Sequence, residues 1–339
     1  MKKFTSCLAV VAMSTLMLMG CGTASNEKAS TPQQPTNAEP QAKKVDFPKG
    51  DITFLIPNGP GGANDLSVRG LIPGLEKELK VKVIPENKPA SGGAVAAVEL
   101  ATGQADGQKL YFNSQTLILM PYSGKKEIEM KNYQPVAQVV EDSSAITVNA
   151  NAPFNTLQEL VDYAKQNPGK LKMAMNGKGA LWHLSAATFA KNAGIEFQYV
   201  PYLEGGAQMS TALAAGEVDV SANSPSEVKP LVDSGKLKIL AIQSQERHLL
   251  FPDIPTAKEA GIDSAFPVWR GIFTKSGVEA EKLTILDNAV KAAMESIEFQ
   301  EFLKAQGMPA KYRDHSEFTQ FVEKEAETYA ILMKELGVE

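Results

Sequence analysis

The chain has 339 residues, with 34 Lys and Arg against 39 Asp and Glu, 43% hydrophobic residues and two cysteines. That composition describes a globular protein of one large or two medium domains with ample material for a core. A net charge of −5 gives no electrostatic footprint for nucleic acid, and two cysteines cannot build a disulfide scaffold, a Cys₄ zinc site or a cysteine-held iron–sulfur cluster.

Residues 1–20 read as a lipoprotein signal peptide. Lys2 and Lys3 precede an uncharged stretch from Phe4 to Met19 that is too short for a comfortable membrane span. Leu18-Met19-Gly20-Cys21 resembles a lipobox, in which the cysteine is acylated and becomes the first residue; an uncleaved anchor is the competing reading. Cleavage removes two lysines and no acid, so the remaining body is more negative. Its one cysteine, Cys21, then carries lipid, which leaves no intrachain disulfide. Residues 21–47 are expected to be a disordered linker: Gly22 to Asp46 holds a single large aliphatic residue, Val45, and its root-mean-square reach is about 25–30 Å. The expected location is extracytoplasmic, with the chain tied to the membrane through Cys21.

The folded body begins with a strand pattern, Ile52-Thr53-Phe54-Leu55-Ile56, followed by the loop Asn58-Gly59-Pro60-Gly61-Gly62-Ala63-Asn64. From Asp65, apolar residues fall at helical spacing, with a kink or restart expected at Pro73-Gly74. Val81 to Ile84 leads to a second Gly-rich loop, Asn87 to Gly93, and an Ala-rich helix over Ala94–Thr102. Leu110-Tyr111-Phe112 ends in Asn113-Ser114-Gln115-Thr116. Lys172 to Met175 meets Asn176-Gly177-Lys178-Gly179-Ala180 before a helix over Trp182–Asn192, and Phe197 to Tyr202 precedes Glu204-Gly205-Gly206-Ala207 and another helix. Alternating strands and helices of this length predict α/β layers with largely parallel sheets.

In such sheets a ligand sits at the carboxyl ends of the strands, where Gly-rich loops let backbone N–H groups approach and helix N-termini favour negative charge. Taken singly, each loop is equally a tight strand–helix turn. The nucleotide fingerprints Gly-x-x-x-x-Gly-Lys-Ser/Thr and Gly-x-Gly-x-x-Gly are absent, so no cofactor is expected, and no ligand cluster for a metal is seen.

Read together, the motifs resemble one family. They are Pro60-Gly61-Gly62-Ala63-Asn64-Asp65 with Arg69, Val83 to Gly93, Asp106-Gly107, Gly177-Lys178-Gly179 with His183-Leu184, Val200-Pro201-Tyr202 with Gly205-Gly206-Ala207, Gly216-Glu217-Val218-Asp219, Pro252 to Thr256 and Trp269-Arg270-Gly271. In order and spacing they are similar to the extracytoplasmic solute receptors of tripartite tricarboxylate transporters, the Bug proteins, over about Ile52 to Glu339. The resemblance implies a periplasmic-binding-protein (type II-like) fold: two α/β domains with a ligand cleft between them. Residues 48–148 plus 245–339 would form domain 1 and 149–244 domain 2, with crossovers near Thr147–Ala150 and Ala241–Ser244. It also implies capture of a small carboxylate, whether a di- or tricarboxylate, an amino acid or an aromatic acid, by a non-enzymatic monomer. Its partners would be a large and a small integral membrane subunit. The residues expected at the ligand are Asn58, Gly61, Gly62, Ala63, Asn64, Asp65, Ser91, Gly92, Ser114, Gln115, Thr116, Gly177, Lys178, Gly179, Ala180, His183, Tyr202, Gly205, Gly206 and Asp219. Asn58-Gly59 and Lys178 depart from the residues usual in the family.

Single residues carry competing readings. Asp65 at a helix start suits capping and an i,i+4 pair with Arg69 better than ligand contact. Lys178, between two loop glycines, is either solvated or aimed at a carboxylate. Trp182 either stacks on an aromatic ligand or belongs to the core, the reading preferred from sequence, and Asp219 reads as the end of a strand-like Glu217-Val218-Asp219-Val220, facing the cleft. The alternatives to a transport receptor are a ligand-sensing receptor for a signalling partner and an exported α/β hydrolase. The hydrolase lacks support, because Gly-x-Ser-x-Gly is absent and the three histidines His183, His248 and His315 are widely spaced.

Overall fold

A computed structural model describes residues 45–337. The signal peptide, Cys21 and the linker as far as Lys44 lie outside the described residues. The chain begins with β1 (Ile52–Ile56), α1 (Ala63–Leu79), β2 (Val83–Asn87), α2 (Ala94–Thr102), β3 (Lys109–Ser114) and the single turn α3 (Thr116–Leu119). A 17-residue strand, β4 (Tyr133–Asn149), leads to α4 (Leu157–Gln166), β5 (Lys172–Met175), α5 (Leu181–Ala193), β6 (Gln198–Pro201), α6 (Gly206–Ala215), β7 (Val220–Asn223), α7 (Pro225–Asp233) and β8 (Leu237–Gln243). The chain closes with β9 (Pro267–Lys275), α8 (Ala280–Glu295), α9 (Ile297–Gln306), β10 (Ala310–Arg313) and α10 (His315–Glu335).

The strands run in the order β2-β1-β3-β9-β4-β7-β5-β6, with β8 and β10 also paired to β4. The outer strands are parallel, as the strand–loop–helix units require, but every pairing of β4 and the β3–β9 pairing are antiparallel. The largely parallel sheet expected from the alternation therefore holds only at the two flanks. One long strand makes the difference, because it serves both halves of the sheet: up to Ser143 it pairs with β9, and from Ser144 it pairs with β8. That change lies upstream of the Thr147–Ala150 stretch expected for the first crossover. The return also differs. After β8 the backbone still bonds to the second half, through Ala257 N–H to Ile242 O and Phe266 N–H to Gln243 O, both 2.8 Å, and it rejoins the first half only at Pro267.

Period-2 alternation assigns the faces. Ile52, Phe54 and Ile56 of β1 pack with Leu110 and Phe112 of β3 against Val68, Leu71 and Leu75 of α1 and Leu283, Leu286 and Val290 of α8. Leu55 and Tyr111, on the opposite face, meet Ala96, Ala97 and Leu100 of α2. In the second half, Met173, Ile146, Val148 and Val220 pack against Leu160 and Val161 of α4 and Phe189 of α5. Each fully buried large side chain contributes about 1.5–3 kcal/mol. Phe47, read from sequence as the end of the linker, packs against the first of these clusters. Helix α1 runs unbroken through Pro73, whose side chain is exposed, so the carbonyl it leaves unpaired can turn to water.

Candidate functional site

The loop after β1 is locked from within. Asp65, in the first turn of α1, accepts from Gly61 N–H and from Arg69 Nε, both at 2.9 Å, and Arg69 Nη2 donates to Asn87 Oδ1 at 2.9 Å. Asn87 Nδ2 in turn donates to Asp65 Oδ1 and to the Asn58 carbonyl, and Asn64 Nδ2 donates to Asn58 Oδ1 at 2.6 Å. Asp65 is buried and fully used by this network. It holds the loop in place and pairs with Arg69 at i,i+4, while the N-cap of α1 is Gly62, with no side-chain cap hydrogen bond.

The loop after β5 is fixed in a similar way. Asn176 Oδ1 accepts from Trp182 N–H at 2.9 Å, and His183 Nδ1 accepts from Gly179 N–H at 3.1 Å. Burial, and then the charge of Lys178, push the His183 pKa below its ordinary 6.5. A neutral ring that accepts a backbone N–H is a loop clamp.

These loops border a cavity of about 60 Å³. From the first half, Asn58, Asn64, Gly92, Ser114, Thr116, Leu119, Met120, Ser123 and Lys125 line it. From the second half come Asn176, Ala180, Leu181, Trp182, Leu203, Gly205, Gly206 and Glu227, and Arg270 enters from the middle of β9. The first turns of α1, α5 and α6 border this space through Asn64, Leu181 and Gly206, so the positive ends of the three helices converge there.

Among the residues expected from sequence, Asn58, Asn64, Gly92, Ser114, Thr116, Ala180, Gly205 and Gly206 are brought together at the cavity, and Gly62 lines the adjoining groove between the first loop and α6. Gly61, Ala63 and Asp65 support the loop without lining the cavity. Ser91 faces a separate surface groove. Gln115 is buried against β9, donating to Pro267 O and accepting from Trp269 N–H. Gly177 and Gly179 lie in the clamped loop and His183 in the first turn of α5, none of them lining the cavity, and Lys178 is exposed. Tyr202 donates to Glu217 Oε2 at 3.1 Å, away from the cavity. Asp219 precedes β7 and accepts from Lys172 N–H, at the amino ends of the strands and so at the end opposite the cleft.

Three charged residues at the cavity, Lys125, Glu227 and Arg270, were not foreseen as site residues. Arg270 is 2% exposed; its Nη2 donates to Ser224 Oγ at 2.7 Å, while Nη1 makes no hydrogen bond and lies 4.0 Å from Asp142 Oδ2. Asp142 is buried behind it, with Oδ1 bonded to Ser143 N–H and His248 Nε2. Glu227, in the first turn of α7, accepts from Asn223 Nδ2 at 3.1 Å. Burial raises its carboxyl above the ordinary 4.5, and the Arg270 charge pulls it back. The available signal was a charged residue inside an apolar strand, Val268-Trp269-Arg270-Gly271-Ile272: a guanidinium so placed must have partners.

Residues 68–338 match the family model described as the tripartite tricarboxylate transporter family receptor. The chain belongs to this receptor family. It is 30% identical over 299 residues to the UPF0065 protein in the gbd 5′ region of Cupriavidus necator, covering 88% of this chain and 91% of that one. The structure of the periplasmic binding protein BugD superposes with a TM-score of 0.80 at 26% identity, covering 86% of this chain and 99% of BugD. MatC of Rhodopseudomonas palustris, solved with bound malate, has the same fold, with a TM-score of 0.78 at 24% identity over 84% of this chain and 99% of that one. The receptor is thus an extracytoplasmic solute-binding protein of the periplasmic-binding-protein fold, in a family of receptors and not of enzymes.

Proposed function

We propose that this receptor captures a small carboxylate in the cavity between its two α/β halves, which close over the ligand as domains, and delivers it to a large and a small integral membrane subunit. The domains correspond to the two halves of the sheet, with β4 passing from the first to the second at Ser143–Ser144 and the chain returning at Pro267, in place of the bounds 48–148 plus 245–339 and 149–244 expected from sequence. The receptor works outside the cytoplasm, held to the membrane by lipid on Cys21. One observation carries the reading: three helix N-termini and a buried arginine border one cavity whose walls come from both halves. An anion placed there meets backbone donors and positive helix ends, and closure removes it from water. Malate in MatC supports the ligand class.

A ligand bound only by the folded state raises the melting temperature, by about 2.7 kcal/mol of added stability at a hundredfold excess over Kd. A panel of mono-, di- and tricarboxylates, tested by melting and calorimetry on ligand-free protein, is expected to give at least one clear upward shift with measurable heat. Uniformly silent titrations would refute the reading.

A further inference from the structure

The Gly205-Gly206 turn was expected to offer the start of α6 to a ligand carboxylate. The space in front of Gly206 instead holds a carboxylate of the protein itself. A Cβ placed on Gly206 would lie 1.9–2.4 Å from the Glu227 carboxyl atoms, so the acid rests directly against the glycine. Glu227 also lines both the cavity and the groove that continues from it beside Gly62.

A buried polar network fixes it there. Asn223 Nδ2 donates to Glu227 Oε2 and to Ser210 Oγ, each at 3.1 Å, and to Gly206 O at 3.3 Å; Asn223 Oδ1 accepts from Ser221 Oγ at 2.9 Å. Asn223, Ser210 and Ser221 are all buried. Such satisfied networks set the position of the group they hold.

A carboxylate in a cleft built for anions repels a ligand that carries only negative charge. The same cavity also presents two cations: half-buried Lys125, and buried Arg270, with its Nη1 lacking a hydrogen bond. Its walls therefore offer both signs of charge. We propose that Glu227 receives a cationic amino group of the ligand while the cationic side of the cavity takes its carboxylate, so that the receptor selects small carboxylates that also bear an ammonium. This deepens the carboxylate-receptor reading and rests on it. Burial holds the Glu227 carboxyl above its ordinary range in the empty protein, and an ammonium beside it would restore the charged form through a charge-assisted hydrogen bond.

The test uses ligand-free full-length protein and three matched pairs of probes that differ by the amino group: propionate and alanine, succinate and aspartate, glutarate and glutamate. In calorimetric titrations at neutral pH, the amino member of at least one pair is expected to bind tenfold or more tighter. Glu227→Gln keeps the shape and removes the charge. It should bring that pair to within about threefold by weakening the amino member alone, with the melting temperature of the empty protein no lower than in the wild type. Native mass spectrometry of protein purified without unfolding gives an independent readout, with a carried-through ligand that contains an amine expected. An amine-free carboxylate there, equal or tighter binding of the amine-free members, or equal weakening of both members by Glu227→Gln would overturn the inference and leave carboxylate binding standing. Silence from all six probes with no carboxylate carried through would overturn both.

Discussion

Gly206 is where a single hydrogen decides the character of the cleft. With no side chain there, the Glu227 carboxylate lies against the start of α6; with a methyl group it must leave, and the Asn223 bond that holds it is broken. The backbone of Gly206 is not left-handed, so alanine has no conformational objection of its own. The residue is thus glycine because of its neighbour. Gly206→Ala is expected to cost about 1–3 kcal/mol in urea unfolding, the range for overpacking a filled site. In a Glu227→Ala background the same change should be neutral or stabilising by up to about 1 kcal/mol, because alanine favours the helix once the clash has gone. Equal costs in the two backgrounds would show that the carboxylate is not what excludes a side chain. Asp65 shows the opposite case. A conspicuous acid beside a Gly-rich loop, it is consumed by Gly61, Arg69 and Asn87, and its contribution to binding is the shape of that loop.

At the scale of elements, close approach of helices sets the frame on which the loops sit. A Cβ on Gly74 would come within 2.6 Å of the Ala293 Cβ and 2.8 Å of its Cα, so α1 and α8 touch backbone to backbone at this point. Gly74→Val is expected to lose about 2 kcal/mol or more of stability by denaturant unfolding. Ligand affinity per folded molecule should stay within about twofold, because this contact lies in the helical layer and not in the cavity wall; a large change in affinity would contradict that separation. The strand–loop–helix units after β1, β2, β5 and β6 were legible in sequence, because apolar periodicity ends in glycine-rich turns at each of them. β4 was not. Its middle, Glu141-Asp142-Ser143-Ser144, reads as a polar break, yet the strand continues because Glu141, Asp142 and Ser144 each find a partner inside the fold. Glu141 pairs with Arg313 at 2.5 Å, Asp142 bonds His248, and Ser144 Oγ accepts from Ser185 Oγ at 2.6 Å. Partners so distant in the chain leave no local pattern. The same reason hid Glu227, which resembles any solvated helix residue until α7 is docked against α6. Asp219 misled for a topological reason: only the pairing of β7 shows that it stands at the amino end of the strand.

Over the whole molecule, the two halves share β4, and α10 packs across that shared region, so charges along this seam affect the stability of the fold as a unit. Glu325 of α10 accepts from Trp269 Nε1 at 2.9 Å. Burial is the main cause that lifts its carboxyl above the ordinary 4.5; the Trp269 bond opposes this and nearby Glu141 adds to it. Glu141 itself is held below that value, because its hydrogen bonds from Arg313 and Gln138 and the charge of Arg313 outweigh its burial. The two groups give opposite slopes. A carboxyl with a raised folded pKa binds its proton more tightly in the folded state, so its contribution is fully present below about pH 4.5 and is lost as pH rises through the folded value. A carboxyl with a lowered folded pKa contributes above about pH 4.5 and loses that contribution as pH falls through its folded value. Glu325→Gln removes the first kind, and its amide oxygen can still accept from Trp269. The variant's stability relative to the wild type should therefore increase between pH 4 and pH 7.5 in matched urea titrations. Glu141→Gln, which removes the second kind and leaves the Arg313 charge less compensated, should lose ground over the same interval. Parallel pH profiles for the two variants would mean that Glu325 and Glu141 sit in equivalent surroundings, contrary to the burial and pairing of this seam.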